Sequence, residues 1–258
     1  MRQSQFRLKA RLFGAIQYAV RWATQHHDMR KKNPSDVIDD FRALVSSSLA
    51  TWTEMCVQIS GNALRKNASV DAFLNAAIGW ESFLSDWHIA AINRDSSNFA
   101  ADLQHRVEES VTSRWPGLSG RIALAIPKHP SLDLVRELLD PQGGNISLGA
   151  KDKWRARADR ELCDPYRARV LAITDRDHRL IRSVVAVRDC IAHRSQRASD
   201  AMNDALSDLA AGDVALRRSV ARVQPSGVGA YLFAATPGGR RVEIYHQRLH
   251  EIAETFRV

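Results

Sequence analysis

The side chains with the clearest chemistry in this chain are Arg188, Asp189 and His193, within the run Arg-Asp-Cys-Ile-Ala-His. An imidazole titrates near neutral pH and can act as a general base or acid. A guanidinium is a permanent cation whose planar donors match a phosphate or a carboxylate. Asp189 could orient Arg188 or hold one tautomer of His193. These residue types favour chemistry on a phosphate ester.

The spacing between Arg188 and His193 carries little weight by itself. With 30 Arg and 9 His in 258 residues, chance predicts about one Arg-x4-His pair. Three such pairs are present: Arg21 with His26, Arg188 with His193, and Arg241 with His246. Only in the second is the arginine followed by a small polar residue, and only that pair ends a long apolar-striped segment and precedes a polar loop.

The element that positions this pair is predicted to be the longest regular helix of the chain. From Pro165 onward, apolar residues recur every three or four positions, and only Asp177 interrupts them. The members of this stripe are Val170, Ile173, Leu180, Val184, Val187 and Ile191.

The other patterns predict further helices and one hairpin. After Pro34, a helix capped by Ser35 or Asp36 is expected, and a turn at 61–69 leads to a helix over 70–94. More helices are predicted at 98–114, 132–139, 201–218 with a break at Gly212, and 245–256. A β-hairpin is predicted from 229–235 and 240–245, joined by Thr-Pro-Gly-Gly at 236–239. The fold class is therefore mainly α with a small C-terminal β-hairpin before the last helix.

Residues 180–195 resemble the signature helix of HEPN domains, whose motif is Arg, then Asn, Asp or His, three variable residues and His. Residues 75–88, which contain Trp80 and Glu81, are similar to an earlier HEPN core helix with its aromatic-Glu pair. Residues 227–253 look like the tail of the RiboL-PSP branch. The resemblance implies a HEPN-like helical bundle over 35–258, with an irregular insertion at 116–164, preceded by an N-terminal extension at 1–34.

This resemblance also implies a homodimer that joins through the motif helices and cleaves RNA without metal or cofactor, with Arg188, Asp189 and His193 as catalytic residues. RNA cleavage through its own 2′-hydroxyl needs a base, a proton donor and a fixed cation. Five residues along a helix separate Arg188 and His193 by about 140° and about 7.5 Å. Two copies would bring both types of group into one cleft. The family implies toxin–antitoxin or antiviral defence settings, with an antitoxin or defence protein as partner.

Several residues near the motif have two interpretations. Glu81 is expected to pair with Arg188 or Arg182, either as a part of the catalytic site or as a salt bridge between core helices. The arginines around the loop could track RNA phosphates or could form a solvated helix end; they are Arg179, Arg182, Arg194 and Arg197. Ser195 stands where a toxin branch of the family has a tyrosine that a partner nucleotidyltransferase adenylylates, so this route of regulation is not expected.

The charge and cysteine content limit the setting. Of the 37 basic residues, eight lie in residues 1–32 beside one acid, so this segment supplies most of the net charge of +8. Its apolar spacing predicts a basic amphipathic helix, either a folded first helix or a transit peptide. Cys56, Cys163 and Cys190 form no Cys-x-x-Cys pair, which favours a reducing, cytoplasmic location without disulfide or zinc site. No apolar run of membrane-spanning length occurs.

Two other functions remain open. The chain could be a non-catalytic HEPN module that binds RNA or a nucleotide or scaffolds a partner enzyme. It could also be an all-α interaction protein whose Arg-x4-His spacing arose by chance. His246 and His250 lie four residues apart, as in some metal sites, but without a third ligand solvated histidines are expected.

Overall fold

The structure is a computed structural model that describes residues 32–140 and 151–258. The N-terminal helix predicted within 1–34 lies almost wholly outside the described residues, as do residues 141–150 of the predicted insertion. The regular elements of the described part are helices, apart from one pair of two-residue strands. The prediction of a mainly α fold with a small hairpin before the last helix is confirmed.

Two long antiparallel helices begin the described part. Helix α1 (Pro34–Gln58) starts after Asn33, whose side-chain oxygen accepts a hydrogen bond from the Ser35 amide at 3.2 Å. Pro34 fits the first position because no intrahelical partner exists there for an N–H group. The cap is therefore Asn33, rather than the predicted Ser35 or Asp36.

Helix α2 (Asn62–Arg94) is 33 residues long, the longest of the described helices. The predicted turn at 61–69 is wrong beyond Gly61, because residues 62–69 already belong to α2. This stretch contains no proline that would break the helix, and Ser69 lies within it. Its hydroxyl donates to the Arg65 carbonyl and accepts from the Trp52 indole, both at 2.9 Å. The side chain thereby joins α1 to the first turns of α2.

The remaining elements follow in chain order. They are α3 (Ser97–Thr112), α4 (Leu132–Leu139), α5 (Lys151–Glu161), α6 (Tyr166–Leu171), α7 (Asp175–His193), α8 (Gln196–Ser207), α9 (Val228–Phe233), β1 (Ala235–Thr236), β2 (Gly239–Arg240) and α10 (Arg241–Glu254). Helix α4 has its predicted bounds. The predicted helix at 201–218 is instead α8, which ends before Gly212, and a 3₁₀ segment at Ala211–Leu216 follows. The predicted irregular insertion also contains α5, whose polar sequence buries only Trp154, Ala158 and Glu161.

The predicted continuous helix from Pro165 is two helices, α6 and α7, and neither is the longest. Thr174 ends the connection as the N-cap of α7, because its hydroxyl accepts the amide hydrogen of Asp177 at 3.2 Å. Asp175 and Asp177 lie in the first turn of α7, where carboxylates interact favourably with the helix dipole. Asp177 thus marks the start of a helix and does not interrupt one.

The hairpin is much shorter than predicted. Strands β1 and β2 pair two residues each, with Ala235 opposite Arg240. Tyr231 belongs to α9 and Val242 to α10, and both are buried on helical faces. Helix α10 begins directly after the turn, because the Glu243 carboxylate accepts the amide hydrogen of Arg240 at 2.5 Å. The turn was predicted correctly, but the period-two pattern on either side of it belongs to helices.

The core lies where α1, α2, α7 and α10 meet, and aromatic side chains fill it. Phe256, just after α10, packs on Trp80, Trp87 and Trp154, with ring centroids 6.3, 4.9 and 5.8 Å apart. The buried face of α7 includes Leu180 and Val187. Leu180 and Val187 belong to the same core cluster as Trp80 and Trp87, so this face holds α7 beside α2. No described helix is long and apolar enough to cross a membrane.

Candidate active site on helix α7

The last turns of α7 carry the three predicted catalytic residues. Val187 and Cys190 fix this end of the helix, since both are fully buried. Arg188 and Asp189 are partly exposed, and His193 is the last residue of the helix and exposed. The motif therefore lies at the surface, on a helix whose opposite face is held in the core.

Arg188 is held by two carboxylates. Its Nη2 group donates to the carboxylate of Glu81 on α2, and its Nη1 group donates to Asp189 Oδ1 at 2.6 Å. The hydrogen bond to Glu81 raises the pKa of Arg188 above its usual value, against the opposing effect of partial burial. The Arg188 side chain is 26% exposed and the Glu81 side chain 32%, so solvent can reach both.

The structure distinguishes between the two partners that the sequence offered for Glu81. Glu81 contacts Arg188, whereas Arg182 pairs with Asp208 of the segment after α8 at 3.1 Å. It also distinguishes between the two contacts that Asp189 could make: Asp189 binds Arg188 and not His193. Asp189 thus has the geometry to orient the guanidinium, and none of its contacts fixes a tautomer of the imidazole.

Arg188 and His193 do not meet within one chain. They are separated by about 140° around the helix and about 7.5 Å along it. The imidazole points into solvent at the end of α7, while Arg188 faces α2. A single chain therefore supplies one anchored cation and one free imidazole on neighbouring parts of its surface.

The turn after His193 consists of two residues. Arg194 adopts the left-handed backbone conformation, with φ of 50° and ψ of 19°, and its amide donates to the Cys190 carbonyl at 3.0 Å. Ser195 then caps α8, because its hydroxyl accepts the amide hydrogen of Ala198 at 3.2 Å. Arg194 and Arg197 are exposed, as is Arg179 near the start of α7.

Apolar side chains of α1, α2 and α7 remain exposed or partly exposed in one chain. Ile78 precedes Glu81 by one turn of α2 and is 55% exposed. Leu44 of α1 is also exposed and lies against the next residue, Gly79, where a Cβ atom would be 2.9 Å from Leu44 Cδ2. On α7, the preceding turns carry partly exposed aliphatic residues. We call these four side chains the apolar face: Leu44, Ile78, Ile181 and Val185.

The two C-terminal histidines do not form a metal site. His246 is buried, with Nδ1 2.8 Å from the Val242 carbonyl and Nε2 3.4 Å from Ser48 Oγ. His250 Nε2 accepts a hydrogen bond from Arg42 at 3.1 Å. The prediction that both are solvated is wrong for His246, which lies on the same buried face as Val242 and Leu249. Within 32–140 and 151–258, no three His, Cys, Asp or Glu side chains are grouped as metal ligands.

Compared with protein-family models, curated proteins and solved structures, the chain matches none. The resemblance to HEPN domains therefore depends on residues 180–195 and on the two weaker passages at 75–88 and 227–253. Its functional implications are taken up as a proposal below, together with the geometry of Arg188, Glu81 and His193.

Proposed function

We propose that this protein is a HEPN-type endoribonuclease that cleaves RNA without a metal ion, by attack of a ribose 2′-hydroxyl on the adjacent phosphate. The observation that carries the proposal is the arrangement at the end of α7. A partly exposed arginine is fixed by Glu81 and Asp189, and the same helix ends on an exposed histidine. These are the group types that this reaction requires.

Each group has a defined task in the proposed reaction. His193 accepts the proton of the 2′-hydroxyl as the new bond to phosphorus forms. The bond to the 5′-oxygen breaks, and a second imidazole protonates that oxygen. Arg188 offers positive charge to the phosphate as negative charge accumulates on its oxygens. The products are a 2′,3′-cyclic phosphate and a free 5′-hydroxyl.

The second imidazole comes from a second copy of the chain in this proposal. Two copies related by a twofold axis place two copies of Arg188 and two of His193 around one cleft. The apolar face supports this arrangement because Ile78 lies one turn of α2 from Glu81, and because Leu44 and Ile78 are large aliphatic side chains that remain exposed in one copy. Burying such side chains favours association.

The setting follows from the same resemblance. A ribonuclease of this class in toxin–antitoxin or antiviral defence systems acts on cellular or viral RNA, and a partner protein restrains it until it is needed. A cytoplasmic location is part of the proposal. Arg179, Arg194 and Arg197 are the proposed contacts to RNA, whereas Arg182 is paired with Asp208.

One observation favours a second candidate, a HEPN module that binds RNA or a nucleotide without cleaving it. Two carboxylates surround the single guanidinium of Arg188, so these three side chains carry a net negative charge when both acids are ionised. A phosphate approaching Arg188 meets this charge. Such a pairing is equally suited to holding α2 and α7 together.

The experiment uses labelled RNA and DNA of the same sequence, incubated with the purified protein in EDTA. RNA-only cleavage that leaves 2′,3′-cyclic ends is expected. His193→Ala is expected to lower the rate by about 10²-fold or more, whereas His105→Ala, an exposed histidine on α3, should leave it unchanged. Binding without cleavage supports the second candidate. Cleavage of DNA, or a His193→Ala variant of full activity, contradicts the proposed mechanism.

A further inference from the structure

Arg188 alone has few donors left for a substrate. A guanidinium has five N–H groups, and its two terminal nitrogens already donate to Asp189 and Glu81. A phosphate would also approach two carboxylates that lie beside the cation. His193 would deprotonate the 2′-hydroxyl that attacks the adjacent phosphate. The cleft therefore needs another positive group near His193 to bind that phosphate.

Arg194 has the right position for this task. It follows His193 directly, so its Cα atom is about 3.8 Å from that of the histidine, and its side chain is exposed. The arginines of α7 that pair with carboxylates are Arg176, Arg182 and Arg188. Arg194 forms no ion pair with any residue in 32–140 or 151–258.

The backbone at Arg194 supplies a second, independent observation. Among the described residues, Arg194 is the only one other than glycine with a positive φ. Glycine or asparagine is usual where a helix ends in this conformation, because a Cβ atom makes it unfavourable. An arginine at such a position lowers the stability of the folded chain relative to glycine. Unfavourable backbone conformations of this kind are found mainly at functional sites.

We infer that Arg194 is the principal hydrogen-bonding contact of this site to the RNA phosphate. Arg188 still adds positive charge near the phosphate, but its hydrogen bonds go to Glu81 and Asp189 and order the site. This inference rests on the proposed function and deepens it by naming the residue that holds the substrate. Arg194 acts in binding and positioning, while the proton transfers remain with His193. Each copy of a dimer contributes one Arg194 beside its own His193.

The alternative role for Arg194 is structural. A positive side chain at the C-terminus of a helix interacts favourably with the helix dipole. The two roles predict different results for Arg194→Gly, because glycine removes the charge and also relieves the backbone conformation. If the role is substrate binding, the variant keeps or gains thermal stability, by up to a few °C, while it loses RNA affinity.

The test measures binding of a 2′-O-methyl RNA, which lacks the attacking hydroxyl, at several salt concentrations. Relative to the wild type, Arg194→Gly should bind about tenfold more weakly, and the slope of log affinity against log salt should fall by about 0.7, the value for one phosphate contact to a single strand. Arg194→Lys should restore the salt slope and only part of the affinity, because lysine keeps the charge without the planar fork.

Arg114→Gly is the matched control, since Arg114 is also exposed and lies just beyond the end of a helix, α3, but without a positive φ. It should bind RNA as the wild type does. If the wild type binds and cleaves RNA but Arg194→Gly has the wild-type affinity and salt slope, the inference is wrong while the proposed function stands. If the wild type neither binds nor cleaves RNA, both are wrong.

Discussion

Arg188 on α7 donates hydrogen bonds to the carboxylate of Glu81 on α2, although 107 residues separate them in the sequence. This pair joins the helix that carries the motif to the longest helix of the described core. Asp189 accepts a hydrogen bond from the other terminal nitrogen of Arg188, so the two carboxylates together fix the orientation of the guanidinium. The position of the Arg188 side chain therefore depends on the packing of α7 against α2 as well as on its place in α7.

Replacing Glu81 with glutamine tests the strength of this pair. Glu81→Gln keeps the shape of the side chain but removes the charge, so the free energy of unfolding should fall by about 1 kcal/mol, as for a partly buried charge-assisted hydrogen bond. Asp86→Asn is the control, because Asp86 pairs with Arg136 at 3.2 Å and both side chains are about half exposed. An exposed pair contributes little.

Urea unfolding of both variants gives the comparison. Equal losses for Glu81→Gln and Asp86→Asn would show that the contact between Glu81 and Arg188 is no stronger than a surface ion pair. Cleavage by Glu81→Gln should fall if Arg188 must be held in place. A stable variant with reduced cleavage separates the ordering of the site from the stability of the fold.

The sequence predicted much of this fold and less of the site. Proline, capping residues and apolar spacing placed α1, α3, α4 and α7 approximately, since those signals are local. The joining of Glu81 to Arg188 was one of two predicted options, and the structure decided between them because only packing brings α2 and α7 together. The left-handed backbone of Arg194 had no local signal, because arginine gives no indication of a positive φ.

The errors also have physical causes. The hairpin was extended too far because Tyr231, Phe233, Val242 and Ile244 alternate, and their spacing fits strands as well as short helices. Thr174 was missed as a cap because Val170, Ile173 and Leu180 continue a helical spacing across it. In both cases the apolar pattern continues across the start of a helix. The start itself is determined by a hydrogen bond between a side chain and the backbone, from the Asp177 amide to Thr174 and from the Arg240 amide to Glu243.

Thr174 provides a test of the boundary between α6 and α7. Its hydroxyl accepts the Asp177 amide hydrogen, so Thr174→Ala should lower the free energy of unfolding by about 1 kcal/mol. Thr53→Ala is the control, because Thr53 is exposed within α1 and bonds only to the Leu49 carbonyl one turn back. If thermal unfolding of the two variants is the same, the cap is not a determinant of stability.

His178 should make the stability of the protein depend on pH. Burial lowers the pKa of His178 from 6.5 to about 4, and the charges of Arg155 and Lys151 act in the same direction. The unfolded chain therefore binds a proton at a higher pH than the folded one. The resulting stabilisation is fully present above about pH 6.5 and is lost as the pH falls towards 4.

Unfolding by urea between pH 7 and pH 4 measures this effect. His178→Gln should flatten the dependence of the unfolding free energy on pH over this range, since glutamine does not titrate. His105→Gln is the matched control, because it makes the same substitution at an exposed position on α3. If the unfolding free energy of His178→Gln depends on pH as steeply as that of the wild type, the prediction is wrong. The acid sensitivity would then come from other buried groups such as His88, because burial also lowers the pKa of His88.

Ile78 tests whether a second copy covers the apolar face. Ile78→Gln should not destabilise one chain, because the side chain is already 55% exposed. In a twofold dimer each substitution occurs twice, and burying one aliphatic side chain is worth about 1.5–3 kcal/mol. The dimer dissociation constant should therefore rise by at least tenfold. Val220→Gln is the control, since Val220 is fully exposed and does not belong to the apolar face.

Sedimentation and cleavage measured over a range of protein concentrations connect this contact to activity. If the active site needs two chains, Ile78→Gln loses cleavage at low concentration and regains it at concentrations where it dimerises, because its own Arg188 and His193 are intact. A wild-type chain that cleaves RNA as a monomer would contradict the composite site. A variant that dimerises like the wild type would place the dimer interface away from Ile78.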